Sequence, residues 1–269
     1  MKFRETHYKN PDKLKNNYTI RLVATANDSH RLRDCVLSIR DRFDTSMDSD
    51  EKNGPNDQYK ALGDKFILIN DLCLDFIIDD MIKCLDEQYF KILLTKDWLV
   101  NDALITTIIE TSVDYMSDLV NLRPESQATI LYKWHNRIKV EYMKGFFQNL
   151  KVMRKCVFSE ANERNLFYKK LNKEIDSLDA WFKNMSKQLT DEMVIDFEIL
   201  RLMNKVIKAE DVDFIGVEIG ALIRKSSDIT SEMLYALLSL RGDISKSDYK
   251  EKYEDYCLVD GVQASDSKG

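Results

Sequence analysis

Glu110, Asp114 and Asp118 recur at steps of four, a spacing that sets three carboxylates along one face of a helix. A row of this kind can ligate metal in a helical bundle when Glu-x-x-His pairs face it from neighbouring helices. The chain has no Glu-x-x-His, and its three histidines, His7, His30 and His135, lie far apart. The row therefore reads as a solvated acidic face, and His30 and His135 as residues at helix surfaces. Residues 48–54, Asp-Ser-Asp-Glu-Lys-Asn-Gly, resemble a calcium loop until Lys52 falls where an oxygen ligand is needed. Five cysteines, at 35, 73, 84, 156 and 257, form no Cys-x-x-Cys pair and have no histidine at ligand spacing. They predict a reducing, cytoplasmic setting, with Cys73 and Cys84 as small buried hydrophobes. No Gly-rich phosphate loop, Gly-x-Ser-x-Gly elbow or nucleophile with a nearby base is present. The motifs predict no catalysis, no cofactor and no metal site.

Charge is distributed unevenly. Residues 131–173 hold eleven Lys and Arg against three acids, a local +8 in a chain whose net charge is −6. Lys133, Arg137, Lys144, Lys151 and Lys155 follow steps of four, seven, seven and four, which place them on one face of a helix whose other side is apolar. With Arg154, Lys169, Lys170 and Lys173 they form the candidate binding face. It reads as a solvated face, as a dock for an acidic protein, or as a contact with anionic phosphoinositide membrane. Nucleic acid fits poorly, because Trp134, Tyr142 and Phe146 lie on the apolar stripe and not among the cations where bases could stack.

The elements that must position these groups are helical throughout. Only eight Gly and three Pro interrupt 269 residues, and apolar residues recur at three and four: Leu32, Val36, Ile39 and Phe43, then Leu62, Phe66, Ile69, Cys73 and Phe76. The first helix is expected from Pro11-Asp12, or from Asn16-Asn17, to Phe43, and the polar stretch 44–58 reads as a surface loop. Helices are expected over 60–94, from a Thr95 or Asp97 cap to Leu122, from Pro124 to Met153 along Leu131, Trp134, Ile138, Tyr142, Phe146 and Leu150, and from a Ser159 cap past Met185. Shorter ones follow at 191–208, 211–225, 231–241 and 246–257. Gly242 is placed as a left-handed helix stop within Arg241-Gly242-Asp243, and Ser245 as the next N-cap. No apolar stretch approaches the roughly 20 residues that span a bilayer, and the first sixteen residues do not read as a secretory signal.

The stretch from Asp228 to Asp243, read with Asp118–Pro124, Val140–Met143, Ser159–Arg164 and Val206–Asp211 in that order, resembles the C-terminal region of exocyst component three, the Sec-six subunit. The likeness is carried by residues 110–250. It implies an elongated rod of stacked antiparallel helical bundles that tethers secretory vesicles at the plasma membrane without catalysis. It also implies contacts with other exocyst subunits and with SNARE proteins, whose helical bundles are often acidic. Family members are several times longer and begin with a coiled coil absent here, which marks this chain as a C-terminal piece. The expected division is a bundle over 1–158, a second over 159–257, and a tail over 258–269.

Overall fold

The computed structural model describes residues 18–46, 55–152, 157–189, 193–226, 228–253 and 256. Among them there is no strand, and there are ten α-helices. They are α1 (Tyr18–Ser46), α2 (Pro55–Leu85), α3 (Lys96–Val100), α4 (Leu104–Asp118), α5 (Pro124–Val152), α6 (Ala161–Leu189), α7 (Glu198–Lys208), α8 (Val212–Lys225), α9 (Ser231–Ser239) and α10 (Lys246–Lys252). The all-helical architecture agrees with the periodicity, and the tail 258–269 lies outside the described residues.

The helix ends follow local chemistry. Prolines open α2 and α5, where a missing N–H costs nothing. Thr95 and Thr230 cap α3 and α9 by accepting from the N–H groups of Trp98 and Met233. Ser245 and Asp248 make a reciprocal capping box on α10. Three expectations are corrected. The ends of the loop expected over 44–58, residues 44–46 and 55–58, are helical, and 47–54 lie outside the described residues. The helix expected over 60–94 stops at Leu85, passes through one π-helical turn at Asp86–Phe90 and turns at 91–95, with Leu94 at φ 61°. Gly145 makes room for this turn, because a Cβ there would sit 3.2 Å from Leu94 and 3.5 Å from Leu93. The next expected helix is split between α3 and α4.

Two compact units interleave along the chain, where the sequence reading places a single boundary at 158/159. The first gathers residues 1–87, 108–134 and 185–193. Its core joins Val23 and Ala26 of α1 to Leu74, Ile77 and Met81 of α2, and to Ile108, Leu131 and Trp134. Buried polar groups are paired: the Trp134 indole donates to Ser112 at 2.9 Å, and the Tyr115 hydroxyl donates to Asp80 at 2.8 Å. Asn27 spans from α1 to the 121–123 segment, donating to the Asn121 carbonyl and accepting from the Arg123 N–H.

The second unit gathers 88–107, 135–184 and 194–269. The stripe Ile138, Tyr142 and Phe146 is fully buried. It belongs to an aromatic core in which Phe167 meets Trp98, Phe146 and Phe158 at ring separations of 4.8–6.2 Å. Each fully buried Leu or Phe contributes roughly 1.5–3 kcal/mol. The α1 and α2 stripes are different: Leu32, Ile39, Phe43, Leu62, Ile69 and Phe76 are exposed. Helical period marks an apolar face without saying whether another element covers it.

Candidate interaction surface

The basic residues separate once their neighbours are in place. Lys133 meets Asp75 of α2 at 2.7 Å in the first unit. In the second, Arg137 and Lys144 both pair with Glu141, at 3.0 and 2.8 Å. Lys170 turns inward, donating to the Asn101 carbonyl and to Asp102, with its ammonium 5.2 Å from the Trp98 ring. Asp102 is held below its ordinary acidity range, first by that hydrogen bond and then by the charges of Lys170 and Lys173. Lys169 and Lys173 remain exposed on α6. The side chain of Lys151 and all of Arg154 and Lys155 lie outside the described residues. Much of the apparent cationic face is thus spent within the bundles.

Behind α6 lies a buried polar cluster that sequence reading missed. Glu174 accepts from the Trp98 indole at 3.0 Å, from the Tyr89 hydroxyl at 3.0 Å and from the Tyr142 hydroxyl at 2.9 Å. The two hydroxyls also touch each other, and Lys170 stands 3.7 Å away. Desolvation pushes the Glu174 carboxyl up, opposed by the donors on Tyr142 and Trp98 and by the charge of Lys170. Burial likewise drives both tyrosines well above their usual range. The cluster pins the π-turn, α3, α5 and α6 together. Its trace in the sequence is an acid at 174 inside the apolar series Phe167, Leu171, Ile175 and Leu178.

A second node is built on Arg241, whose side chain is fully buried. It forks onto Asp243 at 2.9 Å through two nitrogens and donates to the carbonyls of Val206 and Ile207 near the end of α7. Arg164 joins at 3.4 Å from Asp243 and donates to the Phe158 and Ser159 carbonyls. Gly242 has φ +70°, as the helix-stop reading requires, and any Cβ there would collide with Val157 and with the Ser159 hydroxyl. The tripeptide is an internal tie with its arginine turned inward.

His135 also corrects its expected surface position. It is buried against the rings of Phe197 and Phe182, at 4.6 and 5.4 Å, and its Nε2 accepts from the Asp196 N–H at 3.3 Å. Desolvation, followed by the charge of Lys139, lowers its pKa to about 4. His30 hydrogen-bonds Ser126 at 3.1 Å, and His7 lies outside the described residues. Among the described residues no group of His, Cys, Asp and Glu could hold a metal ion, and no helix is long and apolar enough to cross a membrane.

The family model for exocyst complex component Sec6 matches residues 1–246. Exocyst complex component 3 of Caenorhabditis elegans is 25% identical over 190 residues, which cover 70% of this chain and 23% of that protein. The mouse exocyst complex component 3-like protein is 21% identical over 160 residues, covering 60% of this chain and 21% of that protein. The chain thus spans less than a quarter of these relatives' length. The solved C-terminal domain of the exocyst subunit Sec6p aligns with TM-score 0.68 at 14% identity, over 89% of this chain and 58% of that one. The structure of M-Sec aligns with TM-score 0.68 at 16% identity, over 92% and 39%. A match over nearly the whole sequence, on a helical-bundle fold, makes this chain a member of the exocyst Sec6 family.

Proposed function

We propose that the chain is a non-catalytic scaffold segment of an exocyst subunit. In this reading its helix surfaces hold other exocyst subunits in the cytoplasm, at plasma-membrane sites where secretory vesicles are tethered before SNARE-mediated fusion. The observation that carries the reading is how the buried ionisable groups are used. Glu174, Lys170, Arg164 and Arg241 each bind backbone carbonyls, ring donors or one another and fix helices in place. Stiffness suits a part whose task is to present surfaces at fixed positions.

A second reading, contact with an anionic phosphoinositide membrane, rests on Leu166, Lys169 and Lys173. They follow steps of three and four and are all exposed on α6. Affinity purification of the tagged chain from cytosol, read by mass spectrometry, tests the first reading. Recovery of exocyst subunits supports it, and their absence refutes it. Sedimentation of the purified chain with phosphatidylinositol bisphosphate vesicles, lost in the Lys169→Glu/Lys173→Glu variant, would support the second.

A further inference from the structure

In the buried cluster of the second unit, the oxygens outnumber the hydrogens that two tyrosines can place between them. The Tyr89 hydroxyl, the Tyr142 hydroxyl and Glu174 Oε2 form a closed triangle. Tyr89 lies 3.0 Å and Tyr142 2.9 Å from Oε2, and the two hydroxyls touch along the third side. Each side brings two oxygens within hydrogen-bond distance and so requires one hydrogen between them, because facing lone pairs repel. The tyrosines supply two hydrogens for three sides. An ionised Glu174 supplies none, since a carboxylate only accepts. The Trp98 indole N–H spans Oε1 and Oε2, at 3.0 and 3.1 Å, and places no hydrogen between the oxygens of the triangle. Tyr89 and Tyr142 are fully buried and Glu174 is 2% exposed, so bulk water does not provide the third.

We infer that Glu174 keeps a proton in the folded chain at neutral pH, and that this proton closes a ring in which Glu174 donates to one tyrosine, that tyrosine to the other, and the second back to Oε2. Each oxygen of the ring then gives one hydrogen and takes one, and Oε1 remains as the carbonyl of the acid to accept from Trp98. The neighbouring charges agree. Glu174 faces Tyr89 of the π-turn, Trp98 of α3, Tyr142 of α5 and Lys170 of its own helix. Lys170 stands 3.7 Å from Oε1, beyond hydrogen-bond reach, and donates instead to the Asn101 carbonyl and to Asp102. Asp102, which also feels the charge of Lys173, is therefore the carboxylate that balances Lys170. Ionising Glu174 would add a second negative charge in a place closed to water. Burial, which raises the carboxyl above its ordinary range, acts in the same direction. The ring makes the contact of the π-turn, α3, α5 and α6 a proton-dependent joint. Its sign is opposite to that of a buried neutral histidine: the stabilisation is complete below about pH 4.3, where glutamate titrates in an unfolded chain, and is lost as pH rises towards the folded value.

Urea unfolding of the full chain and of its Glu174→Gln variant, between pH 5 and pH 7, tests the proton. Relative to the variant, the wild-type unfolding constant should rise about tenfold per pH unit. His135 and every other group common to the two proteins cancel in that comparison, as does any fixed cost of the amide. The same pH dependence in both proteins overturns the proposal. Infrared absorption needs only the folded wild-type chain. At pH 7 it should show the carbonyl band of an un-ionised carboxylic acid, distinct from the carboxylate bands, and the band should vanish in Glu174→Gln. Absence of the band, or its persistence in the folded variant, also overturns the proposal. Should Glu174→Gln fail to fold, Tyr142→Phe assigns the band: removing one hydrogen bond from the acid should move it to higher frequency, and an unmoved band refutes Glu174 as its source.

Discussion

At the level of single residues, the chain's charges divide into those that fold it and those left to meet partners. Lys170 belongs to the first kind although it sits in sequence between Lys169 and Lys173. Lys170→Glu would set a new carboxylate beside Glu174 and Asp102 and should cost about 3–5 kcal/mol in urea unfolding, whereas Lys169→Glu/Lys173→Glu should leave the midpoint nearly unchanged. His135 adds a pH dependence. Its folded pKa of about 4 lies below the ordinary 6.5, so the unfolded chain binds more protons between those values. The contribution is complete above about pH 6.5 and is lost as pH falls towards 4. Between pH 7 and pH 5 it amounts to about 2 kcal/mol. His135→Gln should show a correspondingly smaller loss over that interval, and equal pH slopes for the two proteins would refute the assignment. The spacing of basic residues along α5 was readable from the sequence. The acids that neutralise Lys133 and Lys170 come from residues 75 and 102, and sequence carries no sign of which distant acid folds against which cation.

At the level of elements, caps and stops were legible because each is local chemistry: Thr95, Pro124, Gly242 and Ser245 stand where their side chains or backbone freedom require. The break after Leu85 was not legible. Residues 86–94 hold neither Gly nor Pro, and the π-turn there places Tyr89 against Glu174, a tertiary reason that outweighs helix propensity. Gly242→Ala tests the tie at the α9–α10 junction. The left-handed conformation and the collision with Val157 and Ser159 together should cost about 3 kcal/mol or more. Adding Val157→Ala should restore part of that cost if the collision contributes, and Ser245→Ala in the same turn should cost only about 1 kcal/mol. Thermal denaturation of the three variants gives the order directly.

At the level of the whole molecule, the family and the helical class could be read from the sequence, while the grouping of helices into units could not. Linear order suggests a cut between Phe158 and Ser159, yet each unit draws on both sides of it. The consequence can be worked out for the fragment 159–257. It retains Glu174 but loses Trp98, Tyr89 and Tyr142, the donors that make a buried carboxylate tolerable, together with the Phe146 and Trp98 rings that pack on Phe167. Without those helices the apolar face of α6 is open to water, and losing the aromatic layer removes several kcal/mol, against a total stability of about 5–15 kcal/mol for a domain. The fragment is therefore expected to keep far-ultraviolet helical signal, lose its near-ultraviolet aromatic signal and be cleaved rapidly by trypsin. A fragment beginning at residue 88, which retains Tyr89, Trp98, Tyr142 and Phe146, should regain the aromatic signal. Cooperative, protease-resistant folding of 159–257 by itself would show that the Glu174 cluster is dispensable and that the unit's stability lies in α7 to α10.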